Sequence, residues 1–394
     1  MRVVLYTHTA YFEPALGLIR TLSQHVELHV LLEVSPRAWQ LAGFDVHRMA
    51  VQSGVVEGDA LLAGAFPPAV RGYWAQARSF HLVVHNARRF YAPGSWAVTR
   101  AALRFIRGVS PDVVHLDSAP LRLSLMSPVW PAVPLVLSEH DPRPHRGESD
   151  WRVELARRLT YGRVGHFILH AAAGRHVFQQ RYKVPKERVT VVPLAANDVM
   201  RAWLGAPVKP DDRTVLFFGR LSPYKGLEVL FAAMERVTEW VPGVRLIVAG
   251  RPVGGYRLQH LPRLSRGGQL ELIEDHVSNA HLVDLCQRAT VVACPYVEAS
   301  QSAVVLTAFA LGTPVVASAV GGLPEYVDDG ETGLLVPPGD ADALARALTR
   351  VLEDATLRGR LRAGIARGQQ GHLGWSRSAR MTLEVYEAAL ASRR

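Results

Sequence analysis

Arg220 and Lys225, in the stretch GRLSPYKG (219–226), are the residues of this chain best placed to do chemistry by type and spacing. A planar guanidinium matches the oxygens of a phosphate in pairs. A lysine ammonium is a compact charge on a flexible stem, able to follow negative charge as it develops on a leaving group. The lysine is notable because the chain hardly uses that residue: among 45 basic side chains the lysines are Lys183, Lys186, Lys209 and Lys225. The plainer account is an exposed loop lysine. Against it stands the position, between the apolar run 214–218 and a helical pattern starting at Leu227. Gly219 turns the chain off that run, and in open α/β sheets ligands bind beyond the carboxyl ends of the strands.

A second candidate set lies in VEASQSAVVLTAFALGTPVVASAVGGLPEYV (297–327). Glu298 follows a short apolar strand. A helix is expected to open near Ser300 and Gln301, so that its unpaired N–H groups, with Ser302, suit a phosphate. Gly321 and Gly322 allow a loop to approach a ligand closely, although tight turns explain most such pairs. In the first half, SEHDPRPHRGES (138–149) follows another strand and offers His140, Asp141 and His145. Read as a metal set they are poor, since Pro142 and Pro144 hold the loop extended and no further ligand is evident. Asp340-Ala341-Asp342 resembles a metal motif too, but its place before ALARALTRVL makes it a helix cap. His8 and Glu13, after the first strand, are candidates for contact with an acceptor, with a surface or core role as the alternative.

These residues need a scaffold of strands and helices. Apolar runs at Val3–Tyr6, Glu27–Leu32, Val113–Leu116, Leu135–Ser138, His166–His170 and Val189–Val192 read as strands in the first half. Val215–Phe218, Arg245–Ala249, Thr290–Cys294, Val315–Ser318 and Leu334–Val336 do so in the second. Amphipathic segments such as Leu227–Trp240, His281–Ala289 and Ala341–Glu353 alternate with them. The alternation predicts α/β architecture: two doubly wound parallel sheets, each covered by helices. The polar stretch from Ala195 to Asp212, with Pro207 and Pro210, is the expected joint. The domains are expected at 1–198 and 199–376, with a terminal helix at 377–394 packing back on the first.

Composition excludes several classes. At 394 residues, 48% hydrophobic and 20% charged, the chain is an ordinary globular one. It opens on a strand, Met1 to Tyr6, without a leader, and the apolar stretch 123–138 is broken by Pro128, Pro131 and Pro134, so neither secretion nor a membrane span is expected. Cys286 and Cys294 read as small buried side chains in a reducing compartment. Of the net charge of +10, residues 1–200 carry +8, from 23 Lys and Arg against 15 Asp and Glu. Arg78, Arg88, Arg89, Arg100, Arg104 and Arg107 alternate there with Tyr73, Trp74, Phe80, Phe90, Tyr91, Trp96 and Phe105. Such interleaving suits an anionic acceptor or an anionic membrane surface, while the plainer account is a solvated face with its aromatics turned inward.

Taken together, VLFFGRLSPYKGLEVL, the run from Tyr296 to Leu348 and the helix near Trp375 resemble the carboxy-terminal domain of retaining GT-B glycosyltransferases of family 4. VLSEHDPRPHRGE and ERVTVVPLA extend the similarity, more loosely, into the first half. The resemblance implies two Rossmann-like domains facing a central cleft, with a nucleotide diphosphate sugar held mainly by the second. It implies that Arg220 and Lys225 grip the diphosphate and that His140 faces the donor sugar. It implies chemistry without a metal or other cofactor, at the helix start Ser300–Ser302, with Gly219, Gly321 and Gly322 lining the donor site. The chain departs from the family pattern where two glutamates stand eight positions apart. Those places hold Ala299, with Glu298 one step away, and Thr307. Glu298 is the displaced candidate for sugar contact, and Thr307 offers the nucleotide ribose only a hydroxyl. The expectation is a retaining transferase acting on a saccharide or lipid-linked acceptor in cell-surface polysaccharide or glycolipid synthesis. It would be cytoplasmic, at the inner membrane face, with no nucleic-acid partner. The alternatives are a non-catalytic nucleotide-sugar or saccharide-binding protein and a GT-B sugar-nucleotide epimerase.

Overall fold

Fourteen strands form two sheets, in a computed structural model that describes residues 1–35, 51–62, 64–87, 89–142, 150–206, 208, 210–258 and 260–392. Arg88, His145, Pro207 and Lys209 lie outside the described residues. The first sheet holds β1 (Arg2–His8), β2 (Glu27–Val34), β3 (Gly54–Glu57), β4 (Ser79–Val84), β5 (Val113–Asp117), β6 (Leu135–Glu139), β7 (His166–Leu169) and β8 (Val189–Val191). The second holds β9 (Thr214–Phe218), β10 (Arg245–Ala249), β11 (Gln269–Ile273), β12 (Val291–Cys294), β13 (Val315–Ser318) and β14 (Gly333–Val336). Their orders are β3-β4-β2-β1-β5-β6-β7-β8 and β11-β10-β9-β12-β13-β14, and every pairing is parallel except β3 with β4. The central strands are apolar along their length because helices cover both faces: Val3, Val4, Val215 and Leu216 are all fully buried.

β3, β4 and β11 were not expected from the sequence pattern. β3 and β11 are edge strands, only partly buried, so neither reads as an apolar run. β4, Ser-Phe-His-Leu-Val-Val, lies inside the stretch read as a basic and aromatic surface, and it takes Phe80 into the core with Trp74. The cysteines are free and buried, in the helix Asn279–Arg288 and on β12.

Each sheet reverses its direction of growth once. The chain runs from β1 out to β2 and then crosses back to place β5 on the other side of β1; in the second sheet β12 does the same beside β9. A crevice opens at such a switch, beyond the carboxyl ends of the strands. The two carboxyl edges face each other. Tyr326, after β13, donates its hydroxyl to the backbone oxygen of His170, after β7, at 2.5 Å. Glu325 accepts from the N–H groups of Ala172 and Ala173 at 2.7 and 2.8 Å. Asn279 donates to Glu13 at 2.8 Å.

The last helix, Trp375–Ala391, lies on the first sheet. Tyr386 is fully buried and its hydroxyl sits 2.7 Å from His115 Nδ1 on β5. Trp375 donates to the Ala196 oxygen at 3.0 Å and its indole occupies the space above Gly17, where a Cβ would come within 2.0 Å of Nε1. Asp340 caps the helix Ala341–Glu353 by accepting from the Ala343 N–H at 2.8 Å. Among the described residues no helix is long and apolar enough to cross a membrane, and no three His, Cys, Asp or Glu side chains gather to hold a metal ion.

Candidate active site

The second domain contributes three loops, from the carboxyl ends of the adjacent strands β9, β12 and β13. The first runs from Gly219 to Gly226. Gly219 has φ 110° and donates its N–H to Ala249, so it turns the chain and its amide is not open to a ligand. Arg220 is exposed and stands near enough to Tyr11 of the first domain for its charge to bear on that phenol. Lys225 is buried, only 8% exposed, with Nζ 3.8 Å from the centre of the Tyr296 ring and 5.1 Å from that of Tyr224. A lysine so enclosed is not the ordinary surface residue of the plainer account. The Ser222 hydroxyl, between the two cations, is buried and without a hydrogen-bond partner among the described residues.

The second loop, from Pro295 to Ser302, locks onto the first. Val297 donates its N–H to the Tyr224 oxygen at 2.9 Å. Gly226, at φ 70°, passes so close that a Cβ would lie 2.0 Å from the Pro295 oxygen. Gly226→Ala is therefore expected to cost at least about 2 kcal/mol, from left-handed backbone strain plus a clash with rigid backbone. Thermal unfolding checks the loss, and a donor titration on the same variant checks that the two loops come apart.

Glu298 is half-buried on this loop. The expected helix start needs correction. The helix spans Ala303–Ala310 and Ser302 is its cap, accepting from the Val305 N–H at 3.4 Å, so Ser300 and Gln301 lie in the loop before it. The side-chain oxygen of Gln301 is buried with no partner among the described residues. Thr307 is also displaced from the role first expected. It lies a turn inside the helix, buried, and accepts from Asn197 Nδ2 of the interdomain segment at 3.4 Å.

The third loop carries Gly321 and Gly322. The close approach they allow is to the second loop rather than to open space. A Cβ on Gly321, at φ 55°, would lie 1.7 Å from the Ala299 oxygen, and one on Gly322 would meet both the Ser300 oxygen and Ala171 of the first domain. The glycines seat loop upon loop and domain upon domain.

Facing these loops, the first domain presents a buried polar cluster around its own switch point between β1 and β5. His140 Nε2 is 2.6 Å from Asp117 Oδ1, and Thr7 donates to Asp117 Oδ2 at 2.8 Å. Burial alone would lower the His140 pKa, but the Asp117 carboxylate, with Asp141 and Glu139 beside it, holds the value above 6.5. Burial likewise opposes ionisation of Asp117, and His140 outweighs it, bringing Asp117 down to about 2. Below the raised His140 value the pair is an imidazolium facing a carboxylate. His170 packs on the other side, its pKa pushed down to about 3 by burial and by His140, and stays neutral. The Tyr11 ring stacks on His140 at 3.9 Å and 8°. His140, 4% exposed, therefore does not stand open to the cleft as expected; Tyr11 covers it.

Of the acceptor-side candidates, His8 stays near this cluster, its ring 4.6 Å from that of Tyr11, and burial lowers its pKa. Glu13 instead joins the domains through Asn279, and burial raises its pKa. Asp117 and Tyr11 escaped the sequence reading. The one signal for Asp117 was its place at the end of an apolar strand, VVHLD, beside the strand that ends in His140.

Two Rossmann-like domains with facing switch points define a GT-B protein. Residues 15–198 match the family described as Glycosyltransferase Family 4, and residues 212–354 the one described as Glycosyl transferases group 1. The chain belongs to the family 4, group 1 glycosyltransferases. It is 38% identical over 206 residues to a D-inositol 3-phosphate glycosyltransferase of Saccharomonospora viridis, covering 49% of this chain and 46% of that protein. The relative of the same name from Nocardioides sp. is 38% identical over 207 residues, 48% of this chain and 44% of the other. The chain thus spans about half the length of the curated relatives it matches. Among solved structures, Anabaena HepE in complex with UDP-glucose superposes with a TM-score of 0.67 at 17% identity, over 98% of this chain and 100% of that one. Sucrose-phosphate synthase from Thermosynechococcus elongatus gives 0.63 at 18% identity over 100% of both. UDP-GlcNAc 2-epimerase from Neisseria meningitidis gives 0.57 at 14% identity, over 98% and 99%. These likenesses concern the fold.

Proposed function

We propose that this chain transfers a sugar, with retention at the anomeric carbon, from a nucleotide diphosphate sugar to a saccharide or lipid-linked acceptor. The observation that carries the reading is the pair of cations leaving one strand end. Arg220 stands toward the first domain, and Lys225 is enclosed over Tyr296 at the switch point. A cation held in a dry slot acts more strongly on developing charge than one in water. The bond from the anomeric carbon to the phosphate oxygen breaks, and both cations take up the charge on the departing diphosphate without a metal. The acceptor oxygen bonds to the same face of that carbon, and its proton passes to the leaving phosphate oxygen. In this reading the Ser222 hydroxyl and the N–H groups of Ala303 and Val304 donate to phosphate oxygens, the Val305 N–H being taken by Ser302. In this reading Glu298 and Tyr11 contact the sugar, with His140 stacked on Tyr11 from behind. Thr307 does not serve the ribose in this reading, because it is buried a turn inside the helix, where it accepts from Asn197. The binding of UDP and UDP-glucose by HepE supports a uridine nucleotide as the first donor to try.

The test is a thermal-shift screen over UDP, GDP and ADP sugars, followed by turnover of the stabilising donor with saccharide and inositol-phosphate acceptors. A ligand at a hundredfold its Kd stabilises by about 2.7 kcal/mol, so one nucleotide series is expected to stand clear of the others. Binding without transfer or hydrolysis would make the chain a binding protein. An epimer formed without acceptor would make it an epimerase.

A further inference from the structure

We propose that the first domain docks on an anionic lipid surface through one continuous basic and aromatic face. The helix Pro93–Val109 is amphipathic. Val98, Ala102, Leu103 and Ile106 are buried against the sheet, while Arg100, Arg104 and Arg107 form an exposed stripe at helical spacing. The stripe leads into an aromatic cluster. Trp96, one turn before Arg100, donates its indole N–H to the Tyr91 oxygen at 3.2 Å. Phe90 packs edge-on against Tyr91 at 5.2 Å and against Trp151 at 6.2 Å.

Tyr91 and Trp151 are 56% and 58% exposed, large for side chains of their size. Each carries a guanidinium: Arg89 lies 5.9 Å from the Tyr91 ring centre and Arg152 4.6 Å from that of Trp151. Trp74 and Phe80, from the same stretch of sequence, are buried. The aromatics are therefore sorted: some build the core, and two are left outside among arginines.

The chemistry favours a membrane over a polyanion in solution. Exposed Tyr and Trp are amphipathic and settle at the headgroup level of a bilayer, and neighbouring arginines gain from anionic lipid. The excess of +8 in residues 1–200 has the sign this needs. Phe90 and Tyr91 follow β4 and Trp151 follows β6, so the aromatic end lies at the carboxyl edge of the sheet, the edge that also presents His8 and Asp117. Docking there would bring the cleft down to the lipid. The inference does not require the transferase reading to hold.

The experiment is flotation of the full chain with vesicles of phosphatidylcholine alone and of phosphatidylcholine mixed with phosphatidylglycerol. The chain is expected to float with the mixed vesicles only, and less as salt rises. Replacing Arg100, Arg104 and Arg107 together by Glu is expected to lower vesicle affinity by on the order of a hundredfold or more. Tyr91→Ala with Trp151→Ala is expected to lower it by on the order of tenfold, with weaker dependence on salt. An unchanged thermal midpoint in both variants excludes misfolding. The proposal fails if the mixed vesicles do not carry the wild type, or if the arginine variant floats undiminished. It fails equally if that variant loses affinity for heparin or single-stranded DNA while neither protein binds vesicles.

Discussion

Lys225→Met is expected to lower kcat for sugar transfer by about a hundredfold to a thousandfold with little change in stability. One charge-assisted hydrogen bond is worth about 1.5–3 kcal/mol, and a donor aimed at developing negative charge in an enclosed site is worth about 10²–10³ in rate. Methionine keeps the apolar stem that fills the slot against Tyr296 and removes the ammonium 3.8 Å from that ring. The cation–π contact that is lost is worth about 0.5–2 kcal/mol, offset by no longer burying a charge. The loss should fall on kcat more than on KM, because the interaction strengthens as the diphosphate departs. Lys225→Arg should not restore the rate, since a bulkier planar guanidinium must be accommodated at a position only 8% exposed and spreads its charge over a wider group. Steady-state kinetics with the donor found by thermal shift, beside an unfolding curve, checks all of this. Transfer at the wild-type rate by Lys225→Met would end the proposed role for the loop.

The second large effect is expected from Asp117→Asn. The Asp117 and His140 side chains are 2.6 Å apart and buried, and removing one partner of such a pair costs about 3–5 kcal/mol because the other charge is left uncompensated. The pH dependence identifies the cause. Asp117 has a folded value near 2 against an ordinary 3.8, so its contribution is present above 3.8 and is lost as pH falls toward 2. His140 has a folded value above 6.5, so its contribution is present below 6.5 and is lost as pH rises through that raised value. The stability gap between wild type and variant should be widest between about pH 4 and 6.5 and should narrow on both sides. In the variant, burial should dominate and lower the His140 pKa, a shift that proton NMR of the imidazole reads directly. A constant gap across pH would mean that Asp117 acts by shape alone. A transfer defect that follows the His140 titration would mark Asp117 as the residue that positions the His140–Tyr11 stack.

Much of the scaffold was legible because a doubly wound sheet writes itself into short-range pattern. Buried parallel strands need apolar residues in succession, so β1, β5, β9 and β13 could be read from four letters each. The loop cations were legible too, since Gly219 and Gly226 mark the turns that hold Arg220 and Lys225 at the strand end. Edge strands hid because half-exposure leaves no such run, as at β3 and β11. The helix start slipped from Ser300 to Ala303 because several residues there could cap, and only the backbone path chose Ser302.

Which residues carry charge, and at which strand ends they leave the sheets, is written in the order of the residues. Local spacing and turn chemistry decide that much. Their partners come from the folded chain alone: Lys225 over Tyr296, His140 between Asp117 and Tyr11, Glu13 against Asn279, and Thr307 against Asn197. Each pairing joins segments distant along the chain, and some cross from one domain to the other. Whether a side chain is buried, ionised or open to a ligand is set by what the rest of the fold brings against it, and no window of neighbouring residues contains that information.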